Sequence, residues 1–277
     1  MSFIEAIILG LVQGLTEFLP ISSNAHLLLV SKLLFEGREP GATFTAITQL
    51  GTETAVIIYF WRDITRIIGR WFRSFRPAAG IAKTDPDVRL GWLIIIGTVP
   101  IVVVGYLAQD LIRGPLRNLW LIAVVLIVFG LLLGLADWLG RKAKPLEQLT
   151  YRDGVLIGLG QMLALIPGVS RSGASTSVGL ALGYTRPAAA RFSFLLAIPA
   201  VFGAGLYELV HSFGEPENAY GYPETAVATL VAFGVGFAVI AFLMRYISTH
   251  SFLPFVIYRV VLGAILLGLL SANLIQP

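Results

Sequence analysis

Pro167-Gly168-Val169-Ser170-Arg171-Ser172-Gly173-Ala174-Ser175 interrupts an apolar run, Val155–Leu165, and the hydrophobic pattern resumes only at Val178. An arginine between membrane-grade segments costs several kcal/mol unless it is paired or faces water. Irregular backbone at that depth is tolerated only where protein buries it or where it lines a wet cavity. The stretch therefore reads as a loop in a polar cavity. Its glycines free backbone N–H groups, and its guanidinium fork suits phosphate or carboxylate. A packing kink with Arg171 snorkelling to the surface is the plainer alternative.

The surrounding composition sets the solvent. Hydrophobic residues make up 56% of the 277 and charged ones only 13%, so several windows near 20 residues carry almost no charge. The chain reads as an all-α integral membrane protein with one membrane domain, 1–277. Phe3–Leu15 lacks a basic lead and a small-residue cleavage site, and is not read as a removable signal. With no cysteine, neither a disulfide nor a thiolate centre is available. A pI near 9.5 reflects basic cytoplasmic loops, not nucleic acid as a partner.

Residues 2–35 repeat the pattern of the opening stretch. Two apolar halves flank Glu17-Phe18-Leu19-Pro20-Ile21-Ser22-Ser23-Asn24-Ala25-His26, and neither half reaches the roughly 20 residues a crossing requires. A re-entrant hairpin is expected there. Gly10-Leu11, Gln13 and Leu15 match Gly158-Leu159, Gln161 and Leu163 at one constant offset, as do Ser22 with Ser170 and Phe44 with Phe192. Crossings are expected at Ala42–Trp61, Gly91–Ala108 and Leu119–Trp138, then at Ala188–Leu209, Ala226–Tyr246 and Phe252–Leu270. Repeat one spans about 2–138 and repeat two about 151–272. An odd number of crossings per copy makes the repeat inverted, giving six transmembrane helices plus two re-entrant hairpins.

Charge bias orients it. With the amino terminus outside, one face collects Arg62, Arg66, Arg70, Arg73, Arg141, Lys142, Lys144, Arg186, Arg191 and Arg245, among others. The opposite face receives Lys32, Arg38, Arg113 and Arg117, with Glu215, Glu217 and Glu224. The first face is thus cytoplasmic and both termini lie outside. Trp61–Arg76 reads as an amphipathic helix on anionic lipid.

Inverted repeats with broken helices bring their special loops together near the midplane. Glu17, Ser23 and His26 would then face Ser170, Arg171, Ser172 and Ser175. A carboxylate, a hydroxyl and an imidazole opposite a cation suit attack on a phosphoryl group. The quieter readings stand beside this one. Glu17 could orient a half-helix, the hydroxyls could satisfy free backbone groups, and His26 could be a satisfied core histidine. Gln49 and Glu53 share a face of one crossing, where interhelical hydrogen bonding is as good an account as a direct role. An inverted-repeat secondary transporter or flippase for an anionic lipid is the rival reading.

Gln13-Gly14-Leu15-Thr16-Glu17-Phe18-Leu19-Pro20-Ile21-Ser22-Ser23 and Pro167-Gly168-Val169-Ser170-Arg171-Ser172-Gly173 resemble the paired signatures of bacterial undecaprenyl-diphosphate phosphatases, the bacitracin-resistance protein family. The likeness extends to Ile47-Thr48-Gln49-Leu50-Gly51 and to Phe252-Leu253-Pro254-Phe255 with Tyr258-Arg259. It implies hydrolysis of a C55 isoprenyl diphosphate lipid to the monophosphate carrier of cell-wall synthesis, with bacitracin resistance as a consequence. It further implies an extracytoplasmic site in the bacterial plasma membrane and a divalent cation, Mg2+ or Ca2+. By position, Glu17, Ser23 and His26 are catalytic, with Glu17 the candidate metal ligand. Ser170, Arg171, Ser172, Ser175 and Arg259 hold the diphosphate, and Gln13 and Gln49 support them. A homodimer is left open. The chain departs from the pattern at Gln13, where many relatives carry a glutamate, at Asn24-Ala25, at Ser175, and at Glu53, which has no counterpart in it.

Overall fold

A computed structural model describes residues 2–35, 40–213 and 221–276. Arg38, Glu215 and Glu217, counted above in the charge bias, lie outside them. The fold is helical, with no named strand among the described residues. Two short helices open it, α1 (Phe3–Thr16) and α2 (Ser23–Leu34), followed by α3 (Gly41–Tyr59) and α4 (Trp61–Arg73). Then come α5 (Pro86–Leu107), the short α6 (Gln109–Arg113) and α7 (Leu119–Leu139). The second half holds α8 (Tyr151–Met162), α9 (Arg171–Ala181), α10 (Arg186–Ser212), α11 (Tyr222–Tyr246) and α12 (Leu253–Ser271).

Among the described residues, α5, α7, α10, α11 and α12 are long and apolar enough to cross a membrane, at the places expected from sequence. In α5 the most apolar window has a mean hydropathy of 2.2, yet only 22% of it is buried inside the protein. Its Ile95, Val99, Val102 and Val103 point outward, so hydrocarbon is the solvent that suits them. These helices fit a multi-pass membrane protein. The expected crossing at Ala42–Trp61 forms as the helix α3, but α3 lacks the apolarity of the other five. The reason is its content of threonine, Gln49 and Glu53. Thr45, Thr48 and Thr54 donate to the carbonyls of Gly41, Phe44 and Leu50 at 2.7–2.8 Å, and Thr48, Thr52 and Glu53 are buried. The helix packs on α10 and α11.

The two breaks share local geometry. Ser2 caps α1 by accepting the Glu5 N–H, and Thr150 caps α8 by accepting that of Asp153. Both breaks end in a serine of positive φ, 74° at Ser22 and 70° at Ser170, a region side-chain-bearing residues seldom occupy. The helix α1 packs on α2 and α11, and α8 packs on α9 and α5. Both crossings depend on glycine. A methyl at Gly10 would stand 2.5 Å from the Ala228 carbonyl oxygen, and one at Gly158 2.5 Å from that of Gly97.

The arginine-rich end is cross-linked by acids. Arg186 Nε donates to Asp137 Oδ1 at 2.6 Å, whose Oδ2 accepts the Phe252 N–H at 3.0 Å. Arg66 pairs with Asp87, Arg70 with Asp85 and Arg191 with Asp63. Tyr184 donates to Asp153 at 2.7 Å, and burial first, then this carboxylate, push the phenol well above its ordinary pKa. It stays a donor at any physiological pH.

Arg259 ties the two breaks together. Expected at the diphosphate, it is instead fully buried on α12, and each guanidinium nitrogen donates to backbone. Nη1 reaches the carbonyls of Pro20 and Val169, both at 3.0 Å, Nη2 that of Gly168 at 2.8 Å, and Nε that of Leu126 on α7 at 3.2 Å. Both irregular turns thereby satisfy carbonyls that no helix can serve. Truncating Arg259 would orphan all of them, at about 1–3 kcal/mol for each buried acceptor left unpaired. Arg259→Ala should therefore lower the unfolding midpoint of the detergent-solubilised protein by at least ~5 °C, with Arg259→Lys recovering only part. A thermal melt followed by circular dichroism checks this.

Candidate active site

The two breaks meet. Glu17 closes α1, Ser23 opens α2, and Arg171 opens α9, so three functional side chains sit at helix ends brought together. An Arg171 Nη2 proton goes to Glu17 Oε1. Glu17 Oε2 accepts twice, from the Ser23 hydroxyl at 2.6 Å and from Gln13 Nε2 at 2.8 Å. Glu17 is buried and the Arg171 side chain is 16% exposed, so the pair is shielded without being sealed. Among the described residues, Nε and Nη1 of Arg171 have no hydrogen-bond partner. Ser170 Oγ accepts the Gly173 N–H at 3.2 Å, capping α9 so that its dipole's positive end lies at the break.

Above this centre stands a cavity of about 610 Å3. Its floor is polar: Glu17, Ser22, Ser23, Asn24, Gln49, Ser170 and Arg171. Its walls are mainly apolar, from Ile101 and Gly105 of α5 and from Pro199, Ala200, Val201 and Ala204 of α10, with Gln109 and Glu208 as polar residues toward its far end. The helices α5 and α10 touch at Thr98 and Leu196, and the cavity lies between the turns that follow Pro100 and Pro199. It runs toward Tyr106 and Tyr207, away from the arginine-rich end. A polar floor under apolar walls fits the head of an amphiphile.

Five residues expected from sequence line this cavity or its floor: Glu17, Ser23, Ser170, Arg171 and Gln49. Gln13 supports Glu17 from behind. The others stand elsewhere. Arg259 is the backbone clamp described above. Ser175 is fully buried, donating to the Arg171 carbonyl at 2.7 Å and lying 2.5 Å from Ser193 Oγ, so it braces the first turn of α9. Ser172 Oγ lies 3.4 Å from the Leu19 carbonyl oxygen and 3.5 Å from that of Glu17, joining one break to the other. His26 does not pair with Ser23. Its ring runs back along α2, with Nδ1 2.7 Å from the Ser22 carbonyl and Nε2 2.7 Å from the Tyr258 hydroxyl. A carbonyl only accepts, so Nδ1 carries the proton and Nε2 accepts from Tyr258. The base within reach of Ser23 is Glu17.

Glu53 belongs here, although the sequence left its role open. It is 1% exposed, and its Oε1 lies 3.0 Å from the same Arg171 Nη2 that serves Glu17. Its position one turn from Gln49 was the available signal. Two carboxylates thus converge on one nitrogen. No group of three or more His, Asp or Glu suited to a metal occurs among the described residues. The donor set still fits Mg2+ or Ca2+ in one form: carboxylate oxygen from Glu17, completed by phosphate oxygens and water.

A helical membrane protein with a carboxylate–serine–arginine centre beneath a lipid-sized mouth is thereby defined. A family model described as "Bacitracin resistance protein BacA" matches residues 6–265, and the chain belongs to that family. It is 63% identical over 278 residues, covering 100% of both chains, to a Micrococcus luteus protein named undecaprenyl-diphosphatase. A Clavibacter michiganensis protein of the same name is 62% identical, with 99% of each chain covered. An Agrobacterium fabrum protein named undecaprenyl-diphosphatase 2 is 57% identical, covering 100% of this chain and 98% of its own.

Nitrogen-15 NMR of histidine-labelled protein should find the His26 proton on Nδ1, with Tyr258→Phe shifting the Nε2 resonance. An Nε2-protonated ring would contradict the geometry.

Proposed function

We propose that this protein hydrolyses undecaprenyl diphosphate to undecaprenyl phosphate and inorganic phosphate, recycling the carrier for cell-wall synthesis and conferring bacitracin resistance. Family membership and the full-length relatives named undecaprenyl-diphosphatase support the reaction. One observation carries its mechanism: the 2.6 Å hydrogen bond from Ser23 to Glu17 on a cavity floor that also presents Arg171.

The chemistry follows from those atoms. Glu17 accepts the Ser23 proton as Oγ attacks the terminal phosphorus. The bond from that phosphorus to the bridging oxygen breaks, and undecaprenyl phosphate leaves with the negative charge. Glu17 releases that proton to solvent in the open cavity, takes another from the water that attacks the serine phosphate, and returns it to Ser23 Oγ as that P–O bond breaks and inorganic phosphate leaves. The free Nε–H and Nη1 donors of Arg171 and the α9 amino terminus stabilise the phosphoryl oxygens throughout. A divalent cation, when bound by Glu17 and the diphosphate, supplies further neutralisation of phosphoryl charge.

The same reading carries a placement in the bilayer. The hairpins α1–α2 and α8–α9 dip from opposite leaflets, and α3, α5, α7, α10, α11 and α12 cross it, within one membrane domain of two inverted repeats, about 2–138 and 151–272. The arginine-rich end faces the cytoplasm, so the termini and the cavity mouth are extracytoplasmic in the plasma membrane. A cavity of about 610 Å3 holds the head and the first units of the tail. The rest of a C55 chain lies in lipid, leaving between α5 and α10.

Phosphate release from C55 diphosphate by the purified protein, with and without chelator, tests the reaction; lipid transport without phosphate release would overturn it. Glu17→Ala and Arg171→Ala should each lower kcat/KM by about 10^3-fold or more, in folded protein. Ser23→Ala should abolish turnover and any trapped phosphoserine seen by mass spectrometry, and near-wild-type phosphate release would refute its role. Gly203 has open space where a side chain would stand, beside the α10 wall. Gly203→Trp should raise KM for the C55 substrate at least about tenfold while a short-chain prenyl diphosphate is less affected. Steady-state kinetics on both substrates reads the difference.

A further inference from the structure

We propose that Glu53 is a positioning residue of this hydrolysis, holding Arg171 from behind so that its free Nε and Nη1 donors are offered to the diphosphate. The proposal rests on the phosphatase reading above and adds a residue to it.

Glu17 and Arg171 line the cavity, and Glu53 does not. It reaches the site only through Arg171, with Oε1 3.0 Å from Nη2. Its other oxygen, Oε2, is buried and has no hydrogen-bond partner among the described residues. A carboxylate that is 1% exposed with an orphaned oxygen is expensive to keep, and packing alone would be served better by leucine or methionine. The compensation is found in what Nη2 does. Glu17 and Glu53 divide one cationic nitrogen, so Arg171 is not the private counter-ion of Glu17.

The consequence is geometric as well as electrostatic. With Nη2 held between α1 and α3, the planar fork is fixed in rotation, and Nε and Nη1 are left without protein partners among the described residues. Each of these two groups can donate singly to a phosphoryl oxygen, since both side-by-side edges of the guanidinium include Nη2. Without Glu53, Arg171 would be free to turn its fork onto Glu17, the base that Ser23 requires. Losing this residue should therefore weaken diphosphate binding more than it slows the chemical step.

The test is a double-mutant cycle on the purified protein. Glu53→Leu preserves volume and removes both oxygens; Glu53→Gln keeps an acceptor for Nη2 and removes the charge. Glu53→Leu is expected to raise KM for C55 diphosphate about tenfold with kcat within about threefold, and Glu53→Gln to raise KM about threefold. Binding of a non-hydrolysable methylene diphosphonate lipid should weaken likewise, and Glu53→Leu should add nothing in an Arg171→Ala background. A KM and analogue affinity like wild type in folded Glu53→Leu would overturn the proposal, as would an undiminished effect in the Arg171→Ala background. Should Glu53→Leu fail to fold, the Glu53→Gln values and its own cycle with Arg171→Ala decide by the same criteria. Absence of hydrolysis by the wild-type protein would instead overturn the phosphatase reading, so the two failures are separable.

Discussion

One buried guanidinium holds the centre of this molecule together. The turns after α1 and α8 leave backbone carbonyls buried inside the protein, and a helix cannot serve them. Arg259 donates to Pro20, Gly168 and Val169 at once, and to Leu126 of α7. A cation without a carboxylate is unusual in a protein interior, but several carbonyl dipoles directed at it replace its hydration. The arrangement needs both serines of positive φ, because the backbone must reverse at Ser22 and Ser170 for the preceding carbonyls to face inward. The clamp and the strain are two parts of one device.

That device sets where the chemistry stands. Once the breaks are pinned, the end of α1 and the start of α9 are neighbours, and Glu17 meets Arg171. Ser23 then lies on the far side of the same carboxylate. Ser172 and Ser175, which resemble substrate ligands by position, brace the turns that carry Arg171. The cation at the reaction centre is partly open, and the cation beneath it is sealed. Their difference in exposure divides binding from scaffolding.

The apolar walls complete the logic. Between α5 and α10 the cavity widens beyond two prolines, each of which removes one helical hydrogen bond. A water-soluble diphosphate would not need such walls, whereas a lipid head approached from the bilayer does. The polar floor and apolar sides together select an amphiphile, and the cation selects its anionic end.

Much of this was legible in the chain itself. Glycines, prolines, hydroxyls and one arginine inside an apolar run read as a protected break, and the constant offset between Gln13 and Gln161 or Ser22 and Ser170 pointed to a second one. The places of α5, α7, α10, α11 and α12 followed from hydrophobic length, because lipid imposes a strict minimum on any span. Which polar residue touches which was another matter. Ser23 and His26 are three apart on one helix, yet the ring turns back to the Ser22 carbonyl and the hydroxyl turns to Glu17. Arg171 and Arg259 both fall within apolar segments, and only packing left one at the cavity floor and made the other a clamp. Glu53 lies 118 residues from Arg171. Periodicity could place it on an inward face, but its partner was chosen by the docking of α3 beside the second break, a long-range contact that no local pattern encodes.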